Sequence, residues 1–198
     1  MTDKPRTIIF FGRSGSGKGT QAQLLMDKLQ SDGRETVYIE TGSEFRKFVE
    51  QKNYTAGLTN TAFSQGGLVP VFLPVWLWTN AMVQNFSGSE DLVLDGLARR
   101  MTEAPVLDSA LKFYGRENIH VIHINVSNDW AFERMKSRGR NDDSDEYIKS
   151  RLSWFDRDVA PVLDYFRELK GYIYHDVNGE QDIPGVHAEI MQSLDQEK

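Results

Sequence analysis

Short apolar runs alternate with stretches of helical periodicity along most of this chain. The alternation favours an α/β fold with a mainly parallel sheet, because parallel strands need helical connections between them. We expect the fourth apolar run to lie centrally in the sheet, since its β-branched residues suit a strand that is buried on both faces. The predicted strands are Thr7–Phe11, Thr36–Glu40, Leu92–Asp95, Ile119–Val126 and Tyr172–Val177.

Apolar positions between these strands predict helices. A second helix is expected to begin at Ser43, which is a good N-cap residue, and a third to run from near Pro70 to about Phe86. The stretch Ser144–Leu169 has the pattern of two helices that are broken near Pro161. The first helix is marked by four apolar residues at helical spacing, Ala22, Leu25, Met26 and Leu29.

Composition narrows the class of protein. The 198 residues suit one domain, and 39% hydrophobic with 26% charged residues is typical of a globular chain. A net charge of −6 argues against general binding to nucleic acid or to a membrane surface, so an anionic ligand would need a local group of basic residues. The absence of cysteine removes disulfides and Cys-type zinc sites. With no signal-peptide pattern and no apolar segment of membrane-spanning length, we expect a cytoplasmic protein.

A glycine-rich segment, GRSGSGKGT from Gly12 to Thr20, is the strongest local signal. It follows the first predicted strand and precedes the first predicted helix. Glycine lets backbone N–H groups approach phosphate oxygens, the helix adds its positive N-terminus, and Lys18 supplies a mobile charge. One position departs from the general phosphate-loop pattern, because Gly19 rather than Ser or Thr follows Lys18. The predicted phosphate-binding residues are Gly15, Ser16, Gly17, Lys18, Gly19 and Thr20.

Five blocks in register resemble the adenylate kinase branch of the nucleoside monophosphate kinases. They occur in the family's order and cover nearly the whole chain. The resemblance implies an α/β P-loop fold of three layers, with a central five-stranded parallel sheet of strand order 2-3-1-4-5. The blocks are Gly15–Gln21, Thr41–Arg46, Gly67–Pro70, Asp95–Arg99 and Arg138–Asp143, the last followed by Arg151.

The same resemblance implies a single nucleoside monophosphate kinase domain over residues 1–198. Its core would comprise 1–40 and 88–198, and a helical insert of about 41–87 would bind the monophosphate. A minimal lid would occupy about 137–143, where only Gly139 separates Arg138 from Arg140. Exclusion of water would then depend mostly on arginines and helix ends.

By resemblance, the reaction is reversible transfer of a phosphoryl group from ATP to a nucleoside monophosphate, with AMP as the expected acceptor. Such transfer is a problem of positioning and charge neutralisation, so it calls for guanidinium forks rather than a general base. Mg²⁺ would accompany ATP, held through water near Thr20 and Asp95, and no zinc is expected. Small nucleotides are the expected partners of a monomeric enzyme. The implied catalytic residues are Lys18, Asp95, Arg138, Arg140 and Arg151.

The resemblance also assigns the two nucleotide sites. On the ATP side, Arg134 would lie over the base and Arg138 near the transferring group, with Asp142 and Asp143 orienting the arginines. The loop around Asn178 would pass the ATP base. The residues implied for the monophosphate are Thr41, Arg46, Gly67, Leu68, Val69, Gly96, Arg99, Glu103, Arg140 and Arg151.

Glu103 stands where the family usually has a glutamine that reads adenine. An ionised carboxylate can only accept hydrogen bonds, which suits the N1 and N2 donors of guanine. The backbone carbonyl of Val69 would instead favour the adenine amino group and repel guanine O6. The sequence therefore leaves AMP as the expected acceptor and GMP or another monophosphate as the alternative.

Two other classes of function compete with this reading. A P-loop kinase that acts on a small hydroxyl metabolite would benefit from a base near its acceptor, and it does not explain the paired Arg46 and Arg99. A nucleotide-binding regulatory module without turnover would be favoured by loss of Lys18 or of the lid arginines, and none of these is lost.

Overall fold

The sheet of this protein has five parallel strands in the order β2-β3-β1-β4-β5, as a computed structural model shows for residues 4–64, 69–138 and 144–195. The predicted fold class and strand order are confirmed, and each predicted strand boundary holds to within one residue. Buried apolar runs of this kind leave few other registers. The strands are β1 Thr7–Phe11, β2 Thr36–Glu40, β3 Asp91–Asp95, β4 Ile119–Asn125 and β5 Tyr172–Asn178.

Helices cover both faces of the sheet and complete three layers. One face packs on α4, α5 and α8 through a core that includes Phe11, Leu94 and Trp78, and the other packs on α1 and α9 through Phe10 and Leu25. None of the helices in the described ranges is long and apolar enough to cross a membrane. The helices are α1 Lys18–Ser31, α2 Thr41–Val49, α3 Tyr54–Ser64, α4 Phe72–Asn85, α5 Ala104–Phe113, α6 Asn128–Arg138, α7 Asp145–Trp154, α8 Ala160–Glu168 and α9 Ile183–Asp195.

Helix α2 begins at Thr41 and not at Ser43, so that prediction is wrong. The chain passes directly from β2 into the helix, with Glu40 as an extended N-cap residue, and Ser43 lies inside the first turn. The sequence did not predict α3, whose apolar residues do not form one face at helical spacing and whose interior contains Gly57.

The break expected near Pro161 is a π-helical turn, Phe155–Val159, that joins α7 to α8 without interruption. The backbone N–H of Ala160 donates to the carbonyl of Phe155, five residues earlier. Pro161 has no backbone N–H and cannot donate a helical hydrogen bond. Widening the helix just before it therefore sacrifices no hydrogen bond from this residue. Pro161 then takes its place in the first turn of α8.

Helices α2, α3 and α4 follow β2 and precede β3 along the chain, and they share a small core. Trp76 is half-exposed and packs edge-on against Phe48, with 5.7 Å between ring centroids, whereas Trp78 is fully buried against the sheet. Helix α4 thus joins the small core to the main one. The proposed limits of an insert at 41–87 stay a prediction, as do those of the lid, most of which lies outside the described residues. The small core comprises Phe48, Ala56, Val69, Leu73 and Leu77.

A buried ion pair holds the amino-terminal edge of the sheet, at the opposite end from the phosphate loop. Asp91, at the start of β3, is 2% exposed. Its carboxylate accepts from Arg34 Nε at 2.5 Å, from Arg34 Nη2 at 2.6 Å and from the backbone N–H of Arg6 at 2.6 Å. These contacts tie β3 to the start of β1 and to the connection before β2.

Replacing Asp91 by Ala should lower the free energy of unfolding by about 3 kcal/mol, because it leaves a mostly buried guanidinium and a backbone N–H without their acceptor. Urea denaturation measures the change. Lys28→Ala, which removes an exposed pair with Asp32, is the matched control and should cost less than about 1 kcal/mol. Equal losses in the two variants would contradict a structural role for the buried pair.

Candidate active site

One large cleft opens at the carboxyl ends of the strands, where ligands bind in open α/β sheets. Its volume is about 1150 Å³. Most residues predicted from the sequence line it, although they come from six separate stretches of chain. These are Gly15, Gly17, Lys18, Gly19, Thr20, Thr41, Arg46, Val69, Asp95, Gly96, Arg99, Glu103, Arg134, Arg138 and Arg151.

Among the described residues, one predicted phosphate-binding residue does not line this cleft. Ser16 is buried and borders a small adjoining cavity of about 70 Å³, together with Arg134 and Gly179. Gly179, which follows Asn178 in the loop expected to pass the ATP base, lines this second cavity. Gly67, Leu68 and Arg140 lie outside the described residues, as do Asp142 and Asp143.

The phosphate loop folds as its glycines require. Gly15 has φ +87°, and a Cβ there would lie 2.6 Å from the carbonyl oxygen of Ala131 in α6. Any larger residue would therefore push the loop away from that helix. The loop leads directly into α1, whose first turn carries no acidic side chain, so its N–H groups face the cleft unopposed.

The side chain of Lys18 folds back onto the phosphate loop. Its Nζ donates to the carbonyl oxygens of Gly12 and Arg13, both at 2.9 Å. Burial lowers the pKa of Lys18 to about 8, against the attraction of Asp95. The ammonium is thus held at the position where phosphate oxygens would replace the two carbonyls.

Asp95 ends β3 beside the phosphate loop and is 4% exposed. Its Oδ2 accepts from the hydroxyl of Tyr38 at 3.2 Å, and burial raises its pKa while the charge of Lys18 opposes that rise. Within the described ranges no group of three acidic, histidine or cysteine side chains could hold a metal alone. A single carboxylate with Thr20 nearby fits Mg²⁺, which keeps several waters and takes its other ligands from substrate phosphates.

Two predicted arginines, Arg46 and Arg99, line the same cleft. Arg46 pairs with Glu40, with 3.0 Å between Nη2 and Oε2. Arg99 is folded back, and its Nε donates to the carbonyl oxygen of Gly96 at 2.9 Å. Gly96 has φ +66°, and a Cβ there would lie 2.6 Å from Arg99 Nη2, so a glycine is needed for this approach.

Polar groups form a wall beside these arginines. The hydroxyl of Thr41 is buried and has no hydrogen-bond partner among the described residues, as expected of a group that awaits a ligand. Glu103 is 3% exposed, accepts from the backbone N–H of Arg99 at 3.2 Å through Oε2, and has its pKa raised by burial. The carbonyl oxygen of Val69 accepts from Arg100 Nη1 at 2.9 Å.

Three further predicted arginines line the cleft, Arg134, Arg138 and Arg151. The guanidinium of Arg134 lies 4.9 Å from the ring centroid of Trp130, and that of Arg151 lies 5.5 Å from the ring of Tyr147. Arg138 ends α6 at the edge of the cleft. Because aromatic faces hold these forks, their planes are partly oriented before a ligand arrives.

Sequence reasoning missed several residues that shape the site. Glu40 and Tyr38 stand in β2, where nothing in the sequence marks them as partners of Arg46 and Asp95. Arg100 could have been predicted, because it directly follows the predicted Arg99 in the sequence. Arg13, inside the phosphate loop, donates to Asp156 at 2.6 Å and lies 4.5 Å over the ring of Phe155.

Comparison with known proteins agrees with the resemblance. The family model for adenylate kinase matches residues 10–171. Adenylate kinase 1 of Nostoc sp. is 30% identical over 187 residues, which are 94% of this chain and 97% of that protein. The adenylate kinase of Corynebacterium urealyticum is 34% identical over 160 residues, 81% of this chain and 85% of that protein. That of Mycolicibacterium paratuberculosis is 34% identical over 165 residues, 81% and 86% of the two chains.

The matched region runs from β1 to the end of α8 and contains every described site residue except those around Asn178. The sequence blocks, the strand order and these comparisons lead to the same conclusion. The chain belongs to the adenylate kinase family, a family of ATP-dependent nucleoside monophosphate kinases.

Proposed function

We propose that this chain catalyses the reversible transfer of the terminal phosphoryl group of ATP to AMP, with two molecules of ADP as product, and that the residues of the cleft carry it out. One observation supports this most. A single cleft is lined both by the phosphate loop with Lys18 and by two arginines from other stretches of the chain, Arg46 and Arg99.

Transfer between two phosphates requires little proton chemistry, because the attacking oxygen of AMP is already ionised near neutral pH. The protein's task is to align two anions and neutralise their charge. In our proposal, α1 and Lys18 hold the phosphates of ATP, and Arg46 and Arg99 grip the phosphate of AMP. Arg138 and Arg151, with Arg140, stabilise the charge on the group in transfer.

Binding would exchange internal partners for phosphate. Lys18 would leave two backbone carbonyls, Arg46 would leave or share Glu40, and Arg99 would leave the carbonyl of Gly96. In our proposal each of these cations exchanges a partner within the protein for phosphate oxygens, which carry more negative charge than a backbone carbonyl. The internal partners keep the cations ordered before that exchange.

Mg²⁺ would be held through water by Asp95 and Thr20. When bound, the ion neutralises phosphate charge and helps to align the donor. Asp95 would act in its ionised form, which the charges of Lys18 and the ion both favour against its burial. Tyr38 keeps one carboxylate oxygen oriented.

The competing readings account for less of the cleft. A kinase of a small hydroxyl metabolite would leave Arg46 and Arg99, on different elements, without a shared anion to bind. A regulatory module without turnover would not need Lys18, Arg138 and Arg151 together. The cytoplasmic location, the monomeric state and the absence of nucleic-acid partners remain predictions from the sequence.

Lys18→Ala should lower kcat by at least about a hundredfold, which is the scale of losing one preorganised electrostatic contact. The melting temperature should fall by only a few degrees, since the side chain bonds only to carbonyls of its own loop. Coupled measurement of ADP formation, with Lys28→Ala as a control on the exposed side of α1, tests this. Near-normal turnover would refute the assignment of the ATP site.

The affinity for ATP should weaken above about pH 8, because Lys18 of the free protein loses its proton there. Bound phosphates raise the pKa of this lysine, so between the free and bound pKa values the dissociation constant should rise by up to about tenfold per pH unit. Calorimetric titration measures it. Lys18→Arg keeps its charge at these pH values and should lose the dependence. The same pH profile in both proteins would contradict the role of Lys18.

Arg99→Ala should raise KM for AMP and lower kcat, because the fork both binds the phosphate and orients the attacking oxygen. The dissociation constant for ATP, measured without AMP, should change by less than about twofold, and Arg99→Lys should recover only part of the loss because it lacks the fork. An equal loss of ATP affinity would show that the two sites have been exchanged.

A further inference from the structure

The wall of the cleft that includes Val69 carries two charged side chains of opposite sign, Arg100 and Glu103, close enough for the charge of Arg100 to act on the carboxyl group of Glu103. Arg100 is half-buried, lines the cleft and uses one of its five N–H groups to bond Val69 O at 2.9 Å. Glu103 lines the same cleft and uses one oxygen to accept from the backbone N–H of Arg99. A guanidinium can only donate and a carboxylate can only accept, so the wall presents both functions.

The two purines differ in what they offer to such a wall. Adenine presents an amino donor at position 6 and an acceptor at N1. Guanine presents an acceptor at O6, a donor at N1 and an amino donor at position 2. A guanidinium beside O6 and a carboxylate beside N1 and the 2-amino group therefore complement guanine at all three positions.

Arg100 changes the expected part played by Val69. A carbonyl alone would repel guanine O6, which is the reason why the sequence favoured AMP. The hydrogen bond from Arg100 occupies one of the two lone pairs of that carbonyl and brings further N–H donors next to it. The second lone pair can still accept from the amino group of adenine. The wall is thus compatible with both purines.

We propose that this chain also accepts GMP in the same cleft, with Arg100 donating to O6 and Glu103 accepting from N1 and the 2-amino group. This inference rests on the proposed function. The bond between the γ-phosphorus of ATP and its bridging oxygen breaks, a bond to an ionised phosphate oxygen of GMP forms, and ADP and GDP leave. No proton acceptor is needed, as with AMP.

The ionisation of Glu103 adds a second signature. Burial raises the pKa of its carboxyl group, while the Arg99 N–H and the charge of Arg100 oppose the rise. A protonated Glu103 can donate to adenine N1, and an ionised one suits guanine. The preference for AMP over GMP should therefore decrease as the pH rises through the raised pKa of Glu103. The phosphates of the two nucleotides titrate alike, so their effect cancels in the ratio.

The test measures kcat/KM for AMP, GMP and IMP at saturating ATP. In the wild type, GMP should be used within about tenfold of AMP, because the opposing hydrogen-bond effects are similar in size. IMP has O6 and N1–H but lacks the 2-amino group, so it should be used less well than GMP. A GMP value below about one-thousandth of that for AMP, or equal use of IMP and GMP, would overturn the assignment.

Two variants test the residues. Glu103→Gln should raise the ratio of AMP to GMP use by about tenfold and remove its pH dependence, and Arg100→Leu should also raise this ratio by about tenfold, because the donor to O6 is lost. Met101→Ala, an exposed neighbour outside the cleft lining, is the matched control and should leave the ratio unchanged. A ratio unaltered in both variants would contradict the proposal.

The substrate comparison also separates the two levels of inference, even if a variant fails to fold. If the wild type does not phosphorylate AMP, the proposed function itself fails. If it phosphorylates AMP but GMP use falls below the limit given above, only the assignment of Arg100 and Glu103 to guanine fails.

Discussion

The structure depends on one electrostatic constraint: two polyanions must meet in a single cleft of a chain whose own net charge is −6. At an effective dielectric constant of about 20, two unit charges about 4 Å apart repel by about 4 kcal/mol. The cleft is lined by Lys18 and several arginines, whose positive charges offset this repulsion. Because these cations would also repel one another, the protein holds each on a partner of its own. Lys18 bonds loop carbonyls, Arg46 a carboxylate, Arg99 the Gly96 carbonyl, and Arg134 and Arg151 lie over aromatic rings.

The two edges of the sheet differ in the kind of contact that they carry. The amino-terminal edge is closed by contacts within the protein such as the buried Asp91 ion pair. The carboxyl edge carries the contacts that, in our proposal, phosphate replaces. Tight turns at Gly15 and Gly96 make the close approaches possible, and the buried carboxylate of Asp95 offsets part of the positive charge.

Much of the fold could be predicted because it rests on local pattern. The strands are short buried apolar runs, and the phosphate loop has a spacing that few other structures need. Contacts between distant positions could not be predicted. Arg100 meets Val69, Tyr38 meets Asp95, and Arg13 meets Asp156 across separations of 31, 57 and 143 residues. Helix α3 lacks a periodic apolar face, and the π-helical turn follows from packing before Pro161. The roles proposed for Gly67, Leu68 and Arg140 stay predictions.

The central claim is that ATP and AMP occupy this one cleft at the same time, with their phosphates in contact. A dinucleotide in which two adenosines are joined by five phosphates tests it most directly, because it spans both sites. We expect calorimetry to show that one such molecule binds per chain, and we expect it to compete with both ATP and AMP. Competition with ATP alone would contradict it, because the paired Arg46 and Arg99 would then not be the acceptor site.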